Sequence, residues 1–308
     1  MKIAITGGTG FLGTHLIKAL PAKQLVILGR RKLELPGAIF FECSIDNSTD
    51  FSRTLVDVNV LIHCAARAHI MNEESQDPLT EFRKVNTHGT LSLAKQAALA
   101  GVNRFIYISS VKVNGESTKE SRPFKFDDEH NPLDPYGLSK SEAETGLFEL
   151  GQKTGMEIVV IRPPLVFGKG VKANFAALLK LVGKGLPLPF RSITQNKRSM
   201  VSVYNLVDLI NTCIDHPKAA NQVFLVSDDN DLSTAEMVAL MAKVQGKLNY
   251  ALPVPVWLFN LAGKLLNKQD VVGRLSGSLQ LDIEYTKKTL NWQPPYSVEH
   301  GFKLAVKK

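Results

Sequence analysis

Tyr136 and Lys140 are the residues whose types and spacing first suggest chemistry. They stand four positions apart in Tyr136-Gly-Leu-Ser-Lys140, just after Asp134-Pro135, and on a helix that spacing brings a phenol and an ammonium onto one face. Of the six tyrosines, only Tyr136 has a lysine four residues on. A hydroxyl pair, Ser109-Ser110, closes an apolar run at 104–109 that reads as a strand. A phenol that moves a proton to or from an alcohol near neutral pH must lose about three units from its free pKa near 10, a cost of ~4 kcal/mol. Lys140, helped by a cationic cofactor, supplies that stabilisation, and Ser110 supplies a hydrogen bond to the reacting oxygen. The spacing alone is weak evidence, so the site also needs a cofactor and a fold that brings the three groups together.

The cofactor signal lies at the start of the chain. A short apolar strand runs into Thr6-Gly7-Gly8-Thr9-Gly10-Phe11-Leu12-Gly13, and a helical pattern follows. Gly7, Gly10 and Gly13 permit a tight turn, close approach of backbone amides to a pyrophosphate, and close packing of helix on strand; Phe11 and Leu12 ride the same turn. The helix N-terminus adds partial positive charge at the phosphate position. The second strand ends in Leu28-Gly29-Arg30-Arg31-Lys32, without the carboxylate that would hold an adenine ribose. Arg30 and Arg31 could clamp a 2′-phosphate, which favours NADP(H) and leaves NAD(H) open; the alternative is a solvated basic loop.

These groups need a scaffold, and the first half of the chain supplies one. Strand-like runs at 2–6, 24–28, 38–43, 59–63, 104–109 and 157–161 alternate with helical stretches at 11–20, 79–100 and 136–153. That order predicts an α/β fold, a doubly wound parallel sheet of Rossmann type with a smaller C-terminal substrate lobe. The dinucleotide-binding part is expected over 1–165 with returns near 198–227, and the lobe over 166–197 and 228–308. A helix expected at 254–266 reads as buried or partly exposed. The 308 residues, 44% hydrophobic and 21% charged, describe an ordinary globular chain. The net charge of +8 favours an anionic partner, but the basic residues are scattered, which argues against nucleic acid. No apolar run reaches the ~18 residues of a membrane span. Cys43, Cys64 and Cys213 suit neither a disulfide framework nor a zinc site, no histidine pair has metal-ligand spacing, and a cytoplasmic enzyme is expected.

Taken together, residues 6–13, His63-Cys64-Ala65-Ala66, Asn86 and Gly89, Ser109-Ser110, Tyr136 to Lys140, and Arg162-Pro163-Pro164-Leu165-Val166-Phe167-Gly168 resemble the extended short-chain dehydrogenase/reductase family. This is the family of nucleotide-sugar epimerases, dehydratases and 4-reductases, and the resemblance covers nearly the whole chain. It implies that Ser110, Tyr136 and Lys140 are catalytic and that Ala65, Ala66 and Arg67 line the cofactor. Asn86 would support the active-site helix, with Pro163 and Val166 bordering the nicotinamide. Ser44 stands where the family has the aspartate that reads the adenine amine. The family's substrate arginine maps to Arg198, followed by Ser199 where an aspartate is usual. Arg274 would add a phosphate contact, Asn174 and Phe175 would bind the nucleotide end of a UDP-sugar, and a homodimer is common.

Among the family's reactions, 4,6-dehydration needs an Asp-Glu pair after the catalytic hydroxyl, where this chain has Val111-Lys112. Arg30-Arg31 and the stretch from Val171 to Pro189 favour an NADPH-dependent 4-reductase acting on a UDP-4-keto-6-deoxy-N-acetylhexosamine for surface polysaccharides. The alternative is a UDP-glucose or UDP-N-acetylglucosamine 4-epimerase with retained NAD. A catalytically silent NADP sensor is disfavoured because the catalytic trio is intact.

Overall fold

A computed structural model describes residues 1–68, 77–119 and 122–307. Seven parallel strands form one sheet: β1 (Ile3–Thr6), β2 (Leu25–Gly29), β3 (Ile39–Glu42), β4 (Val60–His63), β5 (Arg104–Ile108), β6 (Glu157–Arg162) and a late strand, Gln222–Leu225. Their spatial order is β3, β2, β1, β4, β5, β6 and then the late strand. Along β1 the side chains alternate: Ile3 and Ile5 enter one core with Leu25, Ile62 and Ile106, while Ala4 enters another with Val26, Leu61 and Phe105. Burial on both faces is why the central strands β1, β4 and β5 read as apolar runs.

The first core is closed by α1 (Phe11–Ala19) and by a later helix, Val203–Asp215, whose Leu206, Leu209, Ile210 and Cys213 are fully buried. The second is closed by a helical stretch after β4 and by α4 (Pro135–Thr154). The sequence predicts one continuous helix over 79–100. The structure divides it into α2 (Pro78–Arg83), a π-helical turn (Lys84–Gly89) and α3 (Thr90–Leu99). The wider turn directs Asn86 and Thr87 inward onto α4: Thr87 Oγ1 donates to the carbonyl of Ser139 at 2.9 Å. Helix α4 begins where Asp134 accepts from the Gly137 amide at 2.6 Å, with Pro135 at its first position, and ends at the left-handed Gly155.

The sheet reverses direction of growth between β1 and β4, and Thr6 at the end of β1 lies in register with His63 at the end of β4. Thr6 Oγ1 hydrogen-bonds His63 Nδ1 at 2.7 Å, and Thr90 Oγ1 holds Nε2 at 2.9 Å. His63 is fully buried, and desolvation pushes its pKa down to about 3, so the ring is a neutral clamp under the crevice where α/β sheets bind ligands.

After β6 the chain builds a smaller layer on a two-stranded parallel pair, β7 (Leu165–Phe167) and β8 (Met200–Ser202), with α5 (Ala173–Gly183) between them. Next come the sheet-covering helix α6 (Val203–Asp215) and the late strand β9 (Gln222–Leu225). Then follow α7 (Thr234–Val244), α8 (Val256–Leu265), α9 (Gln269–Ser276), α10 (Glu284–Leu290) and α11 (Val298–Val306). The lobe has its own core of Phe167, Phe175, Met241 and Phe302. Among the described residues, no helix is long and apolar enough to cross a membrane.

Candidate functional site

At the first turn Gly7 has φ +71°, and a Cβ there would lie 2.7 Å from the amide nitrogen of Ala65. A Cβ on Gly13 would come within 2.2 Å of the Gly7 carbonyl. Any side chain at either position would force strand, turn and helix apart. Gly10 is the N-cap of α1 without a side-chain hydrogen bond, and the first turn carries no acidic residue. Several amides of that turn are therefore left to an external anion, so the turn fits the pyrophosphate of a dinucleotide. Phe11 and Leu12 are half-buried beside it, and Ala65, Ala66 and Arg67 leave β4 directly opposite.

Arg30 and Arg31 follow β2 and are both exposed, as is Ser44 beyond β3. The Cys43 amide donates to the Gly29 carbonyl at 3.1 Å, which brings the two strand ends together at the edge of the crevice.

Tyr136 sits in the first turn of α4 and Ser110 just past β5, close enough for the Ser110 side chain to lower the phenol's pKa. Lys140, one turn on, is 1% exposed. Its Nζ donates to the Ile108 carbonyl at 2.8 Å and lies 4.5 Å from the Tyr107 ring centre and 6.0 Å from that of Tyr136. Burial dominates the electrostatics of both groups. It pushes the Tyr136 phenol up to about 12, against a smaller lowering from Ser110, and pushes Lys140 down to about 7, against the opposing charge of Glu144. The protein alone thus keeps the phenol protonated. The lowered phenol is expected from Lys140 acting together with a cofactor's charge, and in the protein alone burial outweighs the lowering by Ser110.

Asn86 connects the two sides of the crevice. Its Oδ1 accepts from the Arg67 amide at 2.8 Å, and its Nδ2 donates to the Arg67 carbonyl at 3.1 Å and to Ser139 Oγ at 3.0 Å. Ser139 Oγ in turn donates to the Tyr136 carbonyl at 2.8 Å. Pro163 is buried, and its carbonyl accepts from the Val111 amide at 3.0 Å, so it adjoins the Ser110 turn; Val166 is half-buried in β7.

Sequence reasoning missed the layer behind Lys140. Glu144, one turn further along α4 and 1% exposed, accepts from Arg162 Nη2 at 2.6 Å and from Nε at 3.0 and 3.1 Å, and also receives the Ser109 hydroxyl. Arg162 Nη1 donates to Asn114 Oδ1 at 3.1 Å, and Nη2 donates to His130 Nε2 at 2.6 Å. Burial and the Arg162 charge lower the pKa of His130, consistent with a neutral ring whose Nδ1 donates to Ser141 Oγ at 2.8 Å. The available signal was the spacing of Tyr136, Lys140 and Glu144, which places all three on one helix face.

In the second lobe, Arg198 is half-buried and its Nη1 donates to the Gly277 carbonyl at 3.0 Å. Burial, then the nearby charge of Arg274, lower its pKa, so the structure brings these two arginines together. Ser199, the residue in place of the usual aspartate, donates to Asp231 Oδ1 at 2.5 Å, and Asp231 also accepts from Gln280. Asn174 is exposed on α5. The expectation for Phe175 fails: it is 4% exposed, with ring centres 5.3 Å from Phe167 and 5.4 Å from Phe302, so it fills the lobe core and has no surface to offer a nucleotide. Among the described residues, no group of three or more His, Cys, Asp or Glu side chains could hold a metal ion.

A profile of the NAD dependent epimerase/dehydratase family matches residues 3–227. The chain is 56% identical to a UDP-glucose 4-epimerase of Vibrio cholerae, over 98% of this chain and 93% of that one. Two solved structures share its fold. The UDP-glucose 4-epimerase of Thermotoga maritima superimposes with TM-score 0.78 at 23% identity, covering 99% of this chain and 97% of that one. The UDP-glucuronic acid 4-epimerase of Bacillus cereus, in complex with NAD, gives TM-score 0.78 at 21% identity with the same coverage. The 56% identity to an epimerase overturns the expected 4-keto-sugar reductase. The NADP preference inferred from Arg30 and Arg31 is not supported either: both side chains are exposed, and a missing carboxylate is weak grounds for a phosphate clamp. On the profile match and this relative, the chain belongs to the NAD dependent epimerase/dehydratase family.

Proposed function

We propose that the protein is a UDP-hexose 4-epimerase that works with a retained NAD. The observation that carries this reading is the 56% identity, over nearly the whole of both chains, to a UDP-glucose 4-epimerase. The juxtaposition of Ser110, Tyr136 and Lys140 beside the glycine turn supplies the chemistry.

Gly7, Gly10 and Gly13 leave room for the cofactor's pyrophosphate at the amides of α1, with Ala65, Ala66 and Arg67 along the opposite wall. When bound, NAD supplies a hydride acceptor and then a hydride donor, so interconverting the C4 epimers has no net redox cost. Tyr136 takes the proton of the sugar 4-hydroxyl as C4 is oxidised and returns it when C4 is reduced from the other face. Ser110 hydrogen-bonds the same oxygen throughout. Lys140 holds positive charge beside the phenolate, and Asn86, through Ser139, fixes the turn that carries Tyr136. Arg198 and Arg274 hold the substrate diphosphate, which separates two like charges with an anion. Arg30 and Arg31 form a solvated loop at the adenosine end.

The test is to add UDP-glucose to purified protein with no cofactor and follow UDP-galactose by proton NMR. Interconversion, together with NAD released from the denatured protein, is expected. A protein free of nicotinamide that oxidises NADPH only in the presence of a 4-keto sugar would overturn the proposal.

A further inference from the structure

Helix α8 is apolar on two sides, one packed on the protein and one facing outward, with Asn260 and Lys264 as its polar residues. Val256, Phe259 and Gly263 face the protein: Gly263 is buried against Val272 of α9, and the Phe259 ring lies 6.0 Å from that of Phe190. On the other side Trp257, Leu261, Leu265 and Leu258 fall within an arc of about 100°. They are 62%, 48%, 77% and 37% exposed, and Leu266 extends the patch at 68%. The flanks are basic: Lys264 and Lys268 are exposed, and residues 246–276 hold Lys247, Lys264, Lys268 and Arg274 against a single acidic residue, Asp270.

We infer that α8 lies on an anionic lipid surface, its Trp and Leu side chains entering the headgroup boundary and Lys264 and Lys268 contacting the lipid phosphates. An outward apolar arc, a tryptophan whose ring suits an interface, and cations at the rim are the features of a helix lying in the plane of a bilayer. Apolar insertion and charge act as two signals, and one alone would give marginal binding. A second copy of the chain fits the same face poorly. The helix is ten residues long, about 15 Å, and five side chains fall short of the ~800 Å² per partner that a stable dimer needs. A two-fold contact along it would also set Lys264 and Lys268 against their own copies.

The tryptophans provide the readout. Trp257 is exposed, whereas Trp292 is buried and donates to Asp208 Oδ1 at 2.7 Å, so only Trp257 can report contact with lipid. Full-length protein would be mixed with phosphatidylcholine vesicles with and without phosphatidylglycerol, and followed by sedimentation and tryptophan emission. The expected result is co-sedimentation with the anionic vesicles and a blue shift. The shift should be absent in Trp257→Phe, and partitioning should fall at least about tenfold in Leu261→Glu and in the Lys264→Glu, Lys268→Glu double variant. All four substituted positions are exposed and none belongs to the residues assigned to the cofactor or substrate, so turnover of soluble UDP-glucose should match the unaltered protein. No partitioning into anionic vesicles, or partitioning indifferent to these substitutions, would overturn the inference. So would sedimentation velocity showing self-association that Leu261→Glu abolishes, which would assign the face to a second copy.

Discussion

The two halves of the molecule hold their charged groups differently. Behind the glycine turn and Tyr136, Lys140, Glu144 and Arg162 are all at most 2% exposed and tied by hydrogen bonds to neighbours on other elements. In the second lobe Arg198 is half-buried and Arg274 is exposed, and among the described residues the Arg198 guanidinium donates to one partner, the backbone carbonyl of Gly277. Rigid, dry groups suit bond-making, where a small displacement is costly; looser groups at a rim suit holding a diphosphate that must enter and leave. Substitutions in the sheet half should therefore act on kcat and stability, and those in the lobe on KM.

The largest effect is expected at Tyr136. Tyr136→Phe removes the proton carrier but keeps the ring that packs against Phe82, 6.0 Å away, so kcat should fall by about 10³-fold while nucleotide binding and unfolding are unchanged. Stopped-flow or NMR turnover, paired with calorimetric UDP binding, checks it. A matched loss of affinity would mean that the two halves are not separable in this way.

Next comes Glu144→Gln. It leaves Arg162 as a buried charge with a neutral partner, and about 3 kcal/mol of stability should be lost in urea unfolding. The substitution also removes the charge that opposes the desolvation of Lys140. Lys140 should then lose its proton at lower pH, and the alkaline limb of the kcat profile should move to lower pH. A merely structural role for Glu144 would lower stability and leave that limb in place.

Arg198→Ala probes the other half. Losing one charge-assisted contact to a diphosphate is worth about 2 kcal/mol, a rise of ~30-fold in KM for the UDP-sugar with kcat nearly unchanged. A fall in kcat of similar size would place Arg198 among the groups that act on the transition state.

The contrast also explains what was legible in the sequence. The glycine turn, Ser110 and the Tyr136–Lys140 pair could be read because each is a local pattern whose geometry follows from one turn or one helix. Glu144 meets Arg162 across 18 residues and His130 meets Arg162 across 32, contacts that exist only once α4 lies on the sheet. The lobe was harder still. Phe175 matches its motif, but motif position does not reveal whether an aromatic faces a pocket or a core. Ser199 recovers a carboxylate from Asp231, 32 residues away, so the departure at that position was less informative than it looked. The reductase expectation rested on Arg30 and Arg31, two exposed residues whose neighbours in space the sequence does not specify, and on the likeness of the stretch from Val171 to Pro189 to a reductase branch of the family.

The smallest effect distinguishes the halves by acid. His63, neutral and clamped between Thr6 and Thr90, has a folded pKa of about 3 against about 6.5 when unfolded. Between those values the unfolded chain binds the extra proton, so the contribution of His63 is full above pH 6.5 and is lost as pH falls toward 3. At pH 5.5 the loss should be about 1.4 kcal/mol relative to pH 7.5 or above, read from urea midpoints. His63→Gln, which can still bond both threonines, should flatten the slope by that amount, because the clamp no longer titrates. An unchanged slope in His63→Gln would mean that acid opens the molecule elsewhere, and that the junction of β1 and β4 under the cofactor turn is not the acid-sensitive point of the sheet half.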